Sequence, residues 1–475
     1  MTKLCKVLGL VLVPVLLTAC GQKTSAATPE TAATAETAVS WTVGDLEPLP
    51  LANDRGYYFL AFHSFDEDGR WPYYLVSRVD FDTGEVIPVC NKPGCSHDSA
   101  DCLAFSDIRY AEDTIIPVED GSVLLYHQAD STEVRQGEQE EYGYYLAYEE
   151  AREVDYPGEA GRKYVEAAYE SAGQPSYVDR ISADGLTRER LAVLPDDLGT
   201  YLKCWDGQAL YGSLLSGNLD IVTENRGVRV GLDGQVSYFD LPDPYYTEVR
   251  SGCGPYLLLS HTSSPVDLRT MYLYGNFNAF YTLREQADRE CWLYDPVQGT
   301  TQELDLPHEN LTNFVGMGDC IVYTVEENGE QWMYTYDLTT GETGARVQGS
   351  GSIIIKLIPS VGRQPRYVWA NPQGQSALVD VDTGNWWTTD ELMEMTGLDT
   401  GQYALGNALC ETRDGRLLLQ LYDMSSYNTE NFYTTIPSPA LTEGLNQIQQ
   451  ALEEETRLLE EAEERADVPQ EMAEP

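Results

Sequence analysis

Trp292-Leu293-Tyr294-Asp295-Pro296-Val297-Gln298-Gly299 and Met333-Tyr334-Thr335-Tyr336-Asp337-Leu338-Thr339-Thr340-Gly341 are two copies of one unit, an apolar and aromatic strand running into a turn built on Asp and Gly. The strand returns as Arg78-Val79-Asp80-Phe81-Asp82, as Arg180-Ile181-Ser182-Ala183-Asp184 and as Arg229-Val230-Gly231-Leu232-Asp233, and a further turn is Asp382-Thr383-Gly384. Asp caps its own turn and Gly takes positive φ, so each copy predicts a chain reversal between two strands. Aligned on Asp82, Asp184, Asp233, Asp295, Asp337 and Asp382, most copies lie about 45 residues apart. Several short strands per unit at that period predict an all-β chain folded as a β-propeller.

Working outward, blades are expected near 56–90, 105–195, 200–242, 250–307, 313–349, 352–392 and 403–437. Seven blades are therefore predicted, with six or eight as the alternatives. The last unit has no clear fourth strand, and the segment from Trp41 to Leu51 is expected to supply it and so remove the exposed sheet edges. Two long excursions interrupt the repeat, at 130–175 and 262–288, the first of them helix-favouring. The propeller thus spans 41–437. Beyond it, in 438–475, Leu445, Ile448, Leu452 and Leu459 recur among glutamates, which predicts an acidic amphipathic helix followed by a disordered tail.

The N-terminus carries an address. Lys3 and Lys6 precede an apolar run, Val7 to Leu17, too short to stay in a bilayer as a spanning helix. Leu17-Thr18-Ala19-Cys20-Gly21 follows at once and resembles the bacterial lipobox. That resemblance implies a signal peptide over 1–19 and acylation (palmitate-type) of Cys20, which would be the lipid attachment residue. Residues 20–40, mostly Ala, Thr, Glu, Pro and Ser, read as a flexible stalk. The expected location is the extracytoplasmic face of the cell membrane, held by a lipid anchor.

Among the 475 residues, 30 Lys+Arg stand against 77 Asp+Glu, a formal net charge of −47. A surface this acidic excludes nucleic acid as a partner, because phosphate binding needs a basic footprint. One continuous apolar stretch excludes a polytopic membrane protein.

The Asp-x-Thr-Gly turns, with Trp386-Trp387 after one of them, resemble the repeats of pyrroloquinoline-quinone-type and TolB-like propellers. The layout of lipobox, stalk, Cys-rich segment and propeller is similar to that of propeller lipoproteins of clostridial bacteria. The resemblance implies a fold and leaves the function open, since propellers host unrelated activities. A quinone cofactor is not implied, because the chain has no adjacent Cys pair and a single post-turn Trp site.

Chemistry concentrates in Cys90-Asn91-Lys92-Pro93-Gly94-Cys95-Ser96-His97-Asp98-Ser99-Ala100-Asp101-Cys102. Cys90, Cys95, His97 and Cys102 form a candidate shell for a structural zinc ion, with the Pro93-Gly94 turn bringing the first two sulfurs together. The alternatives are disulfides, which an exported compartment favours, and a redox site. Cys204, Cys253, Cys320 and Cys410 fall at or just before inner strands and are expected to be small buried thiols. His63, His127 and His261 each end a strand and are expected to share one rim of the disc as half-exposed side chains, with a three-histidine metal centre as the alternative. Acidic pairs such as Asp66 with Asp68 and Asp380 with Asp382 are expected to cap turns.

Both excursions are Tyr-rich and are expected to lie on one face. Tyr142, Tyr145 and Tyr148 in the first, and Tyr272, Tyr274, Phe277 and Phe280 in the second, are the candidate ligand-binding residues, since flat amphipathic rings suit a sugar or a protein. The chain has no nucleophile elbow, His-helix metal motif or phosphate loop. These features point to a non-enzymatic, monomeric binding module; a glycan hydrolase or lyase on the insertion-bearing face and an envelope scaffold are the alternatives.

Overall fold

The computed structural model describes residues 41–64, 72–106, 115–128, 140, 143, 146, 158–172, 174–195, 199–217, 222–308, 311–349, 355–425 and 431–442. The chain divides into Met1–Trp41 and a body, Thr42–Pro475. The signal peptide, Cys20, the stalk, Asp66 and Asp68, Tyr142, Tyr145, Tyr148 and the heptad positions beyond Thr442 lie outside the described residues.

Seven antiparallel sheets make the body, each built on consecutive strands, with one strand from the N-terminal segment added to the third, and the chain is a seven-bladed β-propeller. Blade one spans 52–106, blade two 115–193, blade three 199–239, blade four 247–304, blade five 311–349, blade six 356–388 and blade seven 403–437. Apolar residues from facing sheets fill the spaces between blades: Ile116, Leu124, Val178, Leu210, Leu214 and Val230 between blades two and three, for example, and Met317, Val322, Met333, Val368 and Val379 between five and six. A twisted sheet buried on both faces needs apolar side chains on both, which is why these strands read as near-continuous apolar runs.

The turns set the repeat, and at Asp82 and Asp382 the register is two residues from the one the sequence alignment suggested. The amide of Gly84 donates to the carbonyl of Asp80, Gly299 to Asp295, Gly341 to Asp337 and Gly384 to Asp380. The repeated turn is therefore Asp-x-x-x-Gly. Asp80 and Asp380 take the capping role expected of Asp82 and Asp382, because their carboxylates accept the Asp82 and Asp382 amides at 3.1 and 3.0 Å. Asp184, Asp233, Asp295 and Asp337 cap as expected.

Ring closure departs from the expectation. Among the described residues blade seven has three strands, and none from the segment 41–51 joins it. Instead Glu47–Pro48 pairs antiparallel with the first strand of blade three, with Glu47 opposite Trp205 and Pro48 opposite Cys204. The Leu46 amide donates to the Gly254 carbonyl in blade four at 2.6 Å, and the Leu46 side chain is fully buried. The segment thus lies against inner strands around the middle of the ring. Gly252 makes the room: a Cβ there would stand 2.4 Å from the Leu46 carbonyl oxygen. Blades seven and one close on each other by side chains alone, through Tyr57, Val79, Leu409, Leu418 and Tyr433.

Both excursions join the second strand of a blade to its third, the helix Gly158–Ala172 in blade two and the helices Leu268–Leu273 and Phe277–Glu285 in blade four. Asp-Gly turns join first to second or third to fourth strands, so the excursions share the face opposite those turns. No helix among the described residues is long and apolar enough to cross a membrane.

Candidate functional site

The outer strand of blade one is broken, and the thiol cluster fills the break. Val86–Pro88 and Phe105–Ser106 both pair antiparallel with the third strand, Pro72–Asp80. At the junction Val76 holds both ends: the Val89 amide donates to the Val76 carbonyl at 3.0 Å, and the Val76 amide donates to the Ala104 carbonyl at 2.8 Å. Cys90 follows one anchor and Cys102 shortly precedes the other, so the ladder itself brings the ends of the loop together. Within the loop the Cys95 amide donates to Lys92 O and the Cys102 amide to Ser99 O, closing two tight turns. Gly94 has φ +76° and His97 has φ +60°, a left-handed conformation uncommon for a residue with a Cβ. That twist turns the His97 ring inward, and Nδ1 lies 3.3 Å from Cys102 Sγ.

The result is one group of four ligand atoms, from Cys90, Cys95, His97 and Cys102, all within 4.8 Å of one another. Zinc–sulfur bonds of about 2.3 Å and zinc–nitrogen bonds of about 2.0 Å give a tetrahedral shell ligand separations of about 3.5 Å, so a small closure suffices. Cys90 and Cys102 are buried while Cys95 and His97 are partly exposed, and all three cysteines are free thiols. Burial raises the Cys102 thiol to about 12, with the Cys90 sulfur adding to the rise. Cys90 goes the other way: burial works against its thiolate, but the backbone amides of Lys92 and Leu103 and the thiols of Cys102 and Cys95 together lower it. Amides aimed at a sulfur favour its anionic, metal-binding form.

The cluster joins two blades. Cys90 and Cys102 belong to the core that includes Leu75 and Val76 of blade one, Ile115, Val123 and Ile181 of blade two, and Val165 of the blade-two helix. Lys163 on that helix forms an ion pair with Asp101 at 2.8 Å. A metal ion held by all four groups would have no open position for a substrate, so such a site would be structural.

The remaining thiols pack. Cys204, Cys253 and Cys410 are fully buried near the ends of the first strands of blades three, four and seven, and Cys291 is buried in the third strand of blade four; Cys320, expected to be buried on an inner strand, is only half-buried because it begins the second strand of blade five. Burial raises all five, Cys253 to about 12 and Cys320 to about 11.

The strand-end histidines stay in their own blades. His63 stacks on Tyr73, His127 on Tyr177 and His261 on Trp292. His261 also bridges Glu290 at 2.9 Å and Asp243 at 3.1 Å. Among the described residues the only metal-sized cluster of His, Cys, Asp or Glu is the one in blade one, and these three histidines are not part of it.

In blade four the two short helices form a hairpin on their own small core, Leu268 and Phe280 packed by Tyr246, Met271, Tyr272 and Leu283. Asp267 starts it: its carboxylate accepts the Thr270 amide and the Tyr246 hydroxyl, at 3.1 and 2.7 Å. Phe280, 2% exposed, packs the hairpin instead of presenting a ring, and Tyr272 lies edge-on to both Phe277 and Phe280. Tyr274 is 86% exposed, and Leu273, Phe277 and Tyr281 are exposed beside it.

One site was missed in the sequence. Where blades one, six and seven meet, on the turn-bearing face, a cavity of about 660 Å³ is lined by Arg55, Arg78, Arg413 and Arg416 among others. The arginine that opens the repeated strand at Arg78 was visible; its meeting with arginines of the last blade depends on ring closure and has no local signal.

No family model matches the chain, and no curated protein matches it. Among solved structures it is similar to an oligogalacturonate lyase in complex with manganese, at 11% identity and a TM-score of 0.41, over 84% of this chain and 100% of that one. It is similar to the β-propeller domain of the Trilobed protease from Pyrococcus furiosus, at 8% identity and a TM-score of 0.41, over 83% of this chain and 96% of that one. Likewise it is similar to TolB from Acinetobacter baumannii, at 13% identity and a TM-score of 0.27, over 60% of this chain and 72% of that one.

Proposed function

We propose that this chain is a membrane-tethered, extracytoplasmic propeller that acts as a non-enzymatic binding module, engages a protein partner through the blade-four hairpin, and is stapled by one zinc ion at Cys90, Cys95, His97 and Cys102. The observation that carries the binding reading is the exposed group of Leu273, Tyr274, Phe277 and Tyr281 on a hairpin with its own core and a side-chain cap. Aromatic rings with an aliphatic neighbour are the composition of an interface core, where a few such residues supply most of the binding energy. The tether rests on the spacing of Lys3, the apolar run and Leu17-Thr18-Ala19-Cys20. Zinc rests on the four converging ligand atoms and the amides directed at Cys90.

A photo-crosslinking residue at Tyr274 in the full chain on living cells tests the binding reading, with Val297 on the opposite face as the control. A discrete protein adduct at Tyr274 that disappears with Phe277→Ser, and is absent at Val297, supports it. Adducts at both positions or at neither overturn it, and enrichment of polysaccharide at Tyr274 would transfer the site to a glycan. Fatty-acid labelling that persists in Cys20→Ser would remove the tether alone.

A further inference from the structure

We infer that the cavity at the meeting of blades one, six and seven binds a small molecule through an oxyanion group, a carboxylate or a phosphate. This site is on the face opposite the hairpin and stands independently of the reading above. Arg55, Arg78, Arg413 and Arg416 line it beside four aspartates, in a chain with 30 basic and 77 acidic residues. Arg413 and Arg416 are engaged by aspartates of the same lining, with Asp82 Oδ1 also 3.9 Å from Arg416, so Arg55 and Arg78 are the cationic groups left to meet a ligand. Asp80 Oδ1 accepts the amides of Asp82 and Thr83, both at 3.1 Å, as the turn cap. Asp414 accepts the Thr412 hydroxyl at 2.5 Å and Arg416 Nε at 2.8 Å. Asp54 pairs with Arg413 Nε at 2.9 Å across the seam between blades one and seven.

The second observation concerns Arg78. Its Nε is buried and has no hydrogen-bond partner, and its nearest carboxylate, Asp80 Oδ2, lies 3.8 Å from the guanidinium. A buried guanidinium N–H without an acceptor costs free energy, and buried donors are nearly always satisfied. Arg55, anchored by donating to the Ala183 carbonyl at 2.7 Å, lies beside it and lines both this cavity and the small one adjoining it, as Arg78 does. Two guanidinium groups lining one cavity can donate to an oxyanion in paired hydrogen bonds. Phe81 and Val361 give the cavity an apolar part, and its volume suits a ligand larger than an inorganic ion.

Calorimetric titration of the purified full chain with citrate, with glucuronate and with inorganic phosphate, each against sodium chloride at matched ionic strength, tests the inference. The expected result is saturable binding of at least one probe, weakened tenfold or more in Arg78→Gln and in Arg55→Gln and unchanged in Arg346→Gln on blade five. Binding of phosphate alone would assign a phosphate ligand; binding of citrate or glucuronate would assign a carboxylate. Should Arg78→Gln fail to fold, Arg55→Gln alone carries the same expectation. No saturable binding beyond the chloride control, or undiminished binding in the arginine variants of the cavity, overturns the proposal.

Discussion

The Leu46 amide donates to the carbonyl of Gly254 at 2.6 Å, a bond that fixes the segment entering the body against the inner strands of the ring. A propeller whose last blade borrows a strand from the N-terminus is locked by that strand. Here the N-terminal segment is instead a central strut between blades three and four, and it should stabilise those blades. Leu46→Ala is expected to cost about 2–5 kcal/mol, the usual penalty for truncating a fully buried leucine. Gly252→Ala, whose Cβ would meet the Leu46 backbone, should cost a comparable amount. Urea unfolding of the two variants measures this, and wild-type midpoints for both would show that the strut bears no load.

Metal removal separates a staple from a thiol cluster. One equivalent of zinc is expected on the purified chain, lost in Cys90→Ala and Cys102→Ala and kept in Cys410→Ala, whose thiol is buried far along the chain in blade seven. Stripping the metal should lower the thermal midpoint and raise hydrogen exchange in the helix Gly158–Ala172, because Val165 shares the core of Cys90 and Cys102. A metal-free preparation with unchanged exchange in that helix would remove the zinc reading.

What could be read in the sequence follows from what is local. A turn needs its Asp and Gly within five residues, and strands their apolar runs, so seven blades were legible, six of them almost to their ends; blade one was ended at Cys90, and its last strand, Phe105–Ser106, was counted with blade two. The shared turn register was misjudged because Asp80-Phe81-Asp82 and Asp380-Val381-Asp382 each offer two acids, and only the backbone shows that Gly84 and Gly384 bond to the earlier one. The cluster of Cys90, Cys95, His97 and Cys102 was legible because all four lie in one short loop, although why that loop closes, the double anchoring at Val76, is a fact of pairing. Ring closure and the arginine cavity were not legible, since both depend on residues far apart in sequence, such as Asp54 and Arg413.

Without a shared strand, the seam between blades seven and one depends on apolar packing more than on its ion pairs. Arg413 and Asp54 are 61% and 57% exposed, so Asp54→Asn should change stability by less than about 1 kcal/mol. Leu418, fully buried in the same seam, should cost about 2–5 kcal/mol as Leu418→Ala. The contrast is read from denaturant midpoints of the two variants at low and at high salt, and only the Asp54 effect should depend on salt. A large, salt-sensitive loss in Asp54→Asn would mean that the pair, and not the packing, closes the ring.

Asp267 gives the hairpin a pH dependence of definite sign. Hydrogen bonds from the Thr270 hydroxyl and amide, and then from the Tyr246 hydroxyl, hold its carboxyl at about 2, below the ordinary 3.8. A carboxyl lowered in the folded state favours the fold fully above its unfolded value, and that contribution is lost as pH falls through the folded value. Protection of the amides at Thr270 and Met271 should therefore be constant above about pH 4 and decline between there and about pH 2. Asp267→Asn keeps a capping oxygen but not the charge, so its hairpin should show no such decline in that window. Asp267→Ala removes the cap at any pH and should cost the helix about 1 kcal/mol. Hydrogen exchange resolved to Leu268–Leu273 makes the measurement, and an equal acid response in wild type and Asp267→Asn would show that another group governs the hairpin.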